Sequence, residues 1–273
     1  CNAIQTLSLF SLGTPITMLG DHKQLPPVNE IERKYLLDMI GDPDHGLDFL
    51  WQMSALYVDS FFEGSTSKLA EQYRYEEEPT FDYTAVANLT VTHRFGQNLA
   101  DAIGEHIYER KITSGSGGTL DIKVIDAKID SFPIEYGKPR RKNEAEALAI
   151  SKFIEIAHPD DYVILTPYKE QRRRLQKMYG IQEDKVLTIH SAQGREWDTV
   201  IISVCDGTAC DEEKPPRFTS TEWNGGNVGK KVMNTAITRA KKHLILVCDC
   251  KYWSGRSNEL ISDIIKDAPR LEL

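Results

Sequence analysis

The segment Thr188-Ile189-His190-Ser191-Ala192-Gln193-Gly194-Arg195-Glu196-Trp197-Asp198 sets hydroxyls, an imidazole, an amide, a glycine, a guanidinium and two carboxylates between two β-branched apolar runs, Val186 to Ile189 and Val200 to Ser203. Two buried strands joined by a polar loop have this pattern. Gly194 can take positive φ or let backbone come close to a ligand, and Arg195 and Glu196 beside it suit phosphate or ribose oxygens. A solvated crossover loop has the same composition, so the meaning of the segment depends on what accompanies it.

Four further strings put polar chemistry where an apolar run stops. Pro15-Ile16-Thr17-Met18-Leu19 runs into Gly20-Asp21-His22-Lys23-Gln24-Leu25-Pro26-Pro27. That places Asp21 and Gln24 at the carboxyl edge of a strand, where open α/β sheets bind ligands. The strand-like Leu89 to Val91 passes through Thr92-His93-Arg94-Phe95 into a helix whose Leu99, Ile103 and Ile107 share one face, so Arg94 stands at a strand-to-helix junction. Leu165-Thr166-Pro167-Tyr168 ends a buried strand begun at Asp161 and opens a basic helix, Lys169 to Tyr179. In that helix Arg172, Arg173, Arg174 and Lys177 could hold nucleic-acid phosphates or simply form a solvated face. Asn234-Thr235-Ala236-Ile237-Thr238-Arg239-Ala240-Lys241 closes a helix expected over Lys230 to Ala240.

The elements that must position these groups alternate. Ile122 to Ile125 and Leu244 to Val247 read as strands, Asn143 to Ala157 as an amphipathic helix with Asn143 as its N-cap, and Asn258 to Asp267 as a closing helix. From Leu89 onward the alternation predicts a parallel α/β sheet. Upstream, Gly46 to Ser54 has helical apolar spacing and Ser65 to Thr84 is a polar, acidic connection. Ser114-Gly115-Ser116-Gly117-Gly118 predicts a flexible turn, because it lacks the lysine and hydroxyl of a phosphate loop. Asp206 to Gly229 is a long loop rich in glycine, proline and charge, a kind that is usually functional or mobile.

With 273 residues the chain can bury a substantial core in one large or two smaller units. Its hydrophobic fraction of 40% and charged fraction of 27% are those of a soluble globular protein. A net charge of −8 argues against coating nucleic acid by bulk electrostatics but leaves room for a local basic groove. The five cysteines (Cys1, Cys205, Cys210, Cys248, Cys250) have no paired metal-ligand spacing and read as reduced thiols of a cytoplasmic protein, with no metal site expected. No apolar run approaches the roughly 18 residues of a membrane span, and no signal-peptide pattern opens the chain, so no membrane partner is expected.

Taken in order, Gly20 to Pro27, Thr92 to Phe95, Leu165 to Tyr168 with Gln171, Thr188 to Asp198 and Asn234 to Lys241 resemble motifs III, IV, the nucleic-acid-contact motif that follows it, V and VI of superfamily 1 helicases. The Gly-Asp-x-x-Gln-Leu-Pro-Pro and Gln-Gly-Arg-Glu-x-Asp forms look like subclass 1B, which usually moves 5′ to 3′. His93 and Trp197 depart from the residues common at their positions. Gln72-Tyr73-Arg74, preceded by Leu69, competes for motif IV. Arg94 is preferred because an amphipathic helix follows it directly, whereas Arg74 runs into an acidic stretch.

The resemblance implies an α/β fold: a RecA-like, P-loop NTPase-type parallel sheet flanked by helices over residues 89–273, preceded at 1–88 by the C-terminal remnant of a first RecA-like ATPase domain. The sequence contains neither the Walker A form G-x-x-x-x-G-K-[ST] nor the Asp-Glu motif II. The implied protein is therefore the rear part of an ATP-dependent helicase or translocase acting on single-stranded nucleic acid, DNA favoured over RNA. ATP and Mg2+ would bind only together with an upstream RecA-like domain of the same protein, and this part alone would be inactive. By the resemblance Arg94 and Arg239 are arginine fingers, and Gln24 and Asp21 sense the γ-phosphate. Gly194 and Glu196 approach phosphate and ribose, while Thr166, Tyr168, Thr188, His190 and Ser191 lie along the strand backbone. Catalysis of this kind is positioning plus charge stabilisation. The alternative is a non-catalytic nucleic-acid-binding or interaction module of the same fold, which would have no need of γ-phosphate sensors.

Overall fold

The computed structural model describes residues 21, 23–25, 89–109, 111–211, 215–223 and 227–273. The apolar run Pro15 to Leu19, the helix expected over Gly46 to Ser54, the connection Ser65 to Thr84 and the rival Arg74 lie outside the described residues. The chain divides into two units, Cys1–Asn88 and Leu89–Leu273. The second unit is built of alternating strands and helices.

In chain order its elements are β1 (Val91–Thr92), α1 (Gln97–Ile103), β2 (Thr113–Ser114), β3 (Asp121–Asp126), β4 (Ile134–Glu135), β5 (Lys138–Pro139), α2 (Glu144–Ala157) and β6 (Tyr162–Thr166). Then come α3 (Lys169–Leu175), β7 (Val186–Thr188), β8 (Trp197–Ser203), α4 (Asn227–Ile237), β9 (Ala240–Cys248), α5 (Cys250–Ser254) and α6 (Leu260–Asp267). Five strands form one sheet in the order β3-β9-β8-β6-β7. Every pairing within it is parallel.

The sheet is buried on both faces, because successive residues of its central strands have no exposed surface: Ile164 and Leu165 in β6, Val200 to Ile202 in β8, and Leu246 and Val247 in β9. A strand that alternates inward and outward would expose every second side chain, so layers must cover both sides. One layer is α2, whose Ala147, Ile150, Phe153 and Ile154 pack with Ile164, Ile201, Ile245 and Val247. Asn143 caps α2 as expected, its side chain accepting from Glu146 N at 3.1 Å. Among the described residues no helix is long and apolar enough to cross a membrane.

Several elements differ from expectation in their bounds. The helix expected over Lys230 to Ala240 is shifted to Asn227–Ile237. Thr238 Oγ1 donates to Asn234 O at 2.5 Å and Arg239 Nε to Thr235 O at 2.9 Å, which satisfies carbonyls of the last turn. The chain then enters β9 at Ala240, four residues ahead of the apolar run. The basic helix stops at Leu175 and the chain turns, with Met178 N on Leu175 O and Gly180 at φ +76°. The closing helix starts at Leu260, and a short unexpected helix, α5, precedes it with Asp249 as its N-cap. The supposedly flexible Ser114 to Gly118 turn is tied down, since Ser114 Oγ and Ser116 Oγ both donate to Phe95 O, at 2.7 and 3.2 Å.

Candidate functional site

Register places the polar groups on two edges of the sheet. Strands β6 and β7 end side by side, Thr166 opposite Thr188, so the residues that come after them lie at the carboxyl edge. Strands β8 and β9 start at the other edge, where Trp197 pairs with Ala240. Because all these strands run the same way, residues 189–196 must travel from one edge to the other. A 3₁₀ turn, Ile189–Ala192, makes the first part of that crossing.

At the amino edge three distant strings meet. Arg94, just after β1, lies 2.6 Å from Glu196 through Nη2 and donates from Nη1 to Thr238 O at 3.3 Å. Arg239 donates from Nη1 to Arg195 O at 3.3 Å, and its own carbonyl accepts from Trp197 N at 3.1 Å. Its guanidinium is also held by Thr235 O, and the residue is 3% exposed. Arg94 is the accessible one of the two, with about a third of its side chain in solvent (34%). In the same crossing segment Gly194 sits at φ +79°, with nothing among the described residues within 4 Å of where a Cβ would be. The left-handed backbone favours glycine there, and the open space beside it admits a ligand. Arg195 stacks on the Trp197 ring at 4.9 Å.

Asp21 and Gln24 form a local turn of their own: Gln24 Nε2 donates to Asp21 Oδ2 at 3.0 Å, Lys23 N to Asp21 Oδ1 at 3.0 Å, and Gln24 N to Asp21 O at 3.1 Å. The aspartate thus orients the glutamine amide.

At the carboxyl edge the five strand-contact candidates separate into two kinds. His190 and Ser191 are exposed, and Ser191 Oγ shares a 2.8 Å hydrogen bond with Thr188 Oγ1. Burial, and then the charge of Lys169, lowers the His190 pKa below the ordinary histidine value. Thr166, by contrast, has no exposed surface, and Thr188 is 8% exposed. Tyr168 turns its hydroxyl inward to donate to Asp206 Oδ2 at 2.6 Å. In this conformation Thr166 and Tyr168 act as posts beneath the surface rather than as groups presented on it.

The post at Tyr168 belongs to a buried network that the sequence did not single out. Asp206, at 0% exposure, accepts from Tyr168, from Thr219 Oγ1 at 2.6 Å and from Arg141 Nη1. Arg141 also donates to Pro215 O at 2.8 Å and lies over the rings of Phe132 (4.7 Å) and Tyr168 (5.3 Å). Burial raises the Asp206 carboxyl above its ordinary range, with Arg141, Thr219 and Tyr168 pulling the other way. It also raises the Tyr168 phenol, and the Asp206 charge adds to this.

A second network lies beside it. Fully buried Glu146 accepts from Ser203 Oγ at 2.6 Å and Cys205 N at 2.9 Å. Gln171 bridges Asn143 N (2.7 Å), Asn143 O (3.0 Å) and Ser203 Oγ (2.9 Å). Burial pushes the Glu146 carboxyl well above its ordinary value. The amide Gln171, noted in sequence beside Thr166 and Tyr168, thus ties α3 to the start of α2 and the end of β8.

The loop from Asp206 to Gly229 is pinned rather than loose where it is described. Thr208 binds Asp249 through its N–H (3.0 Å) and Oγ1 (2.5 Å), Thr219 binds Asp206, and Ser220 and Thr221 bind the buried Glu259 carboxylate. Gly229 lies so close to Ser220 O that a Cβ would stand 1.7 Å from it.

Cys205, Cys210, Cys248 and Cys250 are free thiols; Cys1 lies outside the described residues. Among the described residues, Glu105, His106 and Asp263 are the acidic and imidazole groups whose ligand atoms fall within 4.8 Å of one another. His106 Nε2 there meets Asp263 Oδ2 at 2.6 Å, an ion pair or hydrogen bond between the turn after α1 and α6.

Residues 59–251, well over half of the sequence, match the AAA domain family. The chain belongs to that family, as a superfamily 1 helicase-type domain. Over 270 residues this AAA domain is 25% identical to the human protein named 3'-5' exoribonuclease HELZ2, covering 89% of this chain and 8% of that one. It is 23% identical over 241 residues to an ATP-dependent helicase of Methanocaldococcus jannaschii (86% and 32%). It is 24% identical over 242 residues to the DNA replication ATP-dependent helicase/nuclease DNA2 of Gallus gallus (84% and 20%). The AAA domain chain therefore spans about a third or less of the length of these relatives. Among solved structures, a PRRSV helicase is similar at 20% identity and a TM-score of 0.34, over 62% of this chain and 25% of that one.

Proposed function

We propose that this chain is the part of an ATP-dependent helicase or translocase that supplies arginine fingers and single-strand contacts, with DNA favoured as substrate. The observation that supports this best is the meeting of Arg94, Gly194, Glu196 and Arg239 at one sheet edge, from strings as far apart as 144 residues. An unrelated α/β protein has no reason to gather two guanidiniums, a carboxylate and an open left-handed glycine there. The donor set suits a nucleotide: guanidiniums for the γ-phosphate, the Gly194 backbone for phosphate, the Glu196 carboxylate for ribose hydroxyls. It does not suit Mg2+, because Glu196, the carboxylate of this cluster, is already neutralised by Arg94. Metal ligands and the phosphate-binding lysine would come from a second RecA-like ATPase domain, so this chain alone is inactive in hydrolysis. Bound nucleotide would supply the γ-phosphate, and Arg94, now paired with Glu196, and Arg239 would supply the positive charge that stabilises it during transfer.

The test is nucleic-acid-stimulated ATP hydrolysis by the intact protein, wild type against Arg94→Lys, Arg94→Ala and Arg239→Lys, each checked for unchanged melting. Loss of an arginine finger lowers turnover by about 10³- to 10⁵-fold. Lysine should not rescue, since it lacks the planar fork. Turnover within a few-fold of wild type in all three variants refutes the assignment and leaves the non-catalytic binding module.

A further inference from the structure

Strands β4 and β5 form a hairpin, Ile134 paired with Pro139 and Glu135 with Lys138, closed by Tyr136 (φ +52°) and Gly137 (φ +70°). Two central residues at positive φ make the tight turn that matches strand twist. So small a ladder buries no core and does not stand alone. Tyr136 at its tip is 95% exposed, the most exposed large apolar side chain among the described residues, and Ile134 is 73% exposed. The hairpin is anchored at its foot, where buried Phe132 lies under the Arg141 guanidinium, which reaches on to the ring of Tyr168. A rigid base therefore carries an aromatic ring into solvent.

The stem around that ring is basic, on a chain whose net charge is −8. Lys138, Arg140 and Lys142 come after the turn in sequence, and Lys142 pairs with Glu135. Gln171 holds the start of α3 against Asn143, next to the stem, and α3 contributes Arg172 and, just past its end, Lys177. Arg173 and Arg174 are taken up by Glu170 and Glu144, but the Nε atoms of Arg140 and Arg172 are buried with no hydrogen-bond partner among the described residues. The Glu135 carboxyl is held below its ordinary range by the hydrogen bond from Lys142, with the charges of Arg140 and Lys177 adding to it. The carboxyl edge is near: Arg141 lies over Tyr168, Lys169 is next in sequence, and the charge of Lys169 acts on exposed His190.

We infer that the β4–β5 hairpin is a second contact for single-stranded nucleic acid, with Tyr136 stacking on a base and Lys138 and Arg140 of the stem neutralising the adjoining phosphates. An exposed ring on a basic support is the arrangement by which proteins hold single strands without reading sequence. The inference rests on the strand-binding reading above and extends the strand path beyond His190 and Ser191.

The test is the affinity of the intact protein for fluorescein-labelled oligothymidylate, by anisotropy, with oligouridylate in parallel. Tyr136→Ala should weaken binding about 5- to 150-fold, the range for loss of one base stack, and Tyr136→Trp should preserve it. Lys138→Ala should lower the slope of log affinity against log salt by about 0.7, one phosphate contact on a single strand. Melting should not move, since Tyr136 is exposed. If Tyr136→Ala and Lys138→Ala bind as wild type while His190→Ala with Ser191→Ala binds weakly, the hairpin contact is overturned and the strand site stands. If all of these variants bind as wild type, both are overturned, and the basic hairpin is left as a surface for an acidic protein partner.

Discussion

Replacing Asp206 by asparagine should destabilise the protein through a series of effects that can be traced atom by atom. The aspartate accepts from four side chains, Arg141 and Cys210 on Oδ1 and Tyr168 and Thr219 on Oδ2. An asparagine keeps the shape but turns one of its two acceptors into a donor. Hydroxyls can reverse their role and a guanidinium cannot, so the amide oxygen should stay on Arg141 and the NH2 face Tyr168 and Thr219. The compensating charge is lost. Removing one partner of a buried ion pair costs about 3–5 kcal/mol. Arg141 keeps the Pro215 carbonyl, two ring faces and a side chain 19% exposed, which puts the cost near the lower bound. At about 2–4 °C per kcal/mol for a unit of this size, melting should fall by roughly 6–12 °C.

Arg141→Met should cost at least as much, since it strands a carboxylate with no exposed surface, and the double variant should be better than the sum by about 2 kcal/mol. The pH dependence has a definite sign. Asp206 already titrates above its ordinary range because of burial, so the stability linked to it is fully present below that range and declines as pH rises through the raised value. Without Arg141 the carboxyl rises further, and the deficit of Arg141→Met should widen as pH rises through the wild type's raised value, where only the variant still holds the proton. Calorimetric melting of the four proteins decides it. A shift below about 2 °C for Asp206→Asn, or additive single variants, would refute the reasoning.

Two further outcomes are expected from single positions. Gly229→Ala must displace the Ser220 carbonyl, since a Cβ would lie 1.7 Å from it, and should lose about 1–3 kcal/mol and open the segment around Ser220 to protease; Gly118→Ala, with nothing within 4 Å, is the control that should not. Oligonucleotide affinity should rise as pH falls through the lowered pKa of His190, because only the protonated ring adds a cation to the strand surface, and His190→Gln should abolish that part of the profile. Equal pH profiles for the two proteins would remove His190 from the strand path.

Much of the sheet was legible because β-branched apolar runs have few alternatives. Val186 to Ile189, Val200 to Ser203 and Leu244 to Val247 each lie within or across a strand, and the N-cap at Asn143 is where the capping pattern puts it. Strand starts were less legible. Trp197 and Ala240 enter the sheet ahead of their apolar runs because Trp197 N binds Arg239 O, a contact between residues 42 positions apart that no local pattern encodes. The apolar run before them puts Thr166 and Tyr168 at the end of a buried strand, as found, yet sequence spacing does not say which way the Tyr168 hydroxyl points. Its direction is decided by Asp206, 38 residues on, and by Arg141, 27 residues before. In sequence Asp206 only opens a long loop, and nothing marks Arg141. The available signal was the charge that ends the apolar run Val200 to Cys205, and it becomes specific only when the fold brings Arg141 to it.

The crossing segment then acquires a mechanical meaning under the proposed function. Its carboxyl-edge end holds His190 and Ser191, with Ser191 bonded to Thr188 in the sheet. Its amino-edge end is held by three bonds that all involve candidate nucleotide residues: Arg94 on Glu196, Arg239 on Arg195 O, and Trp197 N on Arg239 O. Anything that draws Arg94 or Arg239 toward a phosphate must break or lengthen one of these bonds and release one end of a segment whose other end touches the strand. Gly194 is where such a segment can give, because its backbone is left-handed and a side chain there would meet nothing within 4 Å among the described residues. A nucleotide can shift an equilibrium only by its differential affinity for the two states, and the Arg94–Glu196 pair, present in one state and broken in the other, is the contact that would provide it. On this argument Glu196→Gln should bind nucleotide with less dependence on the bound strand than wild type, because the pair that opposes the engaged state has been weakened in advance. Equal coupling in the two proteins would separate the ribose role of Glu196 from any role in transmission.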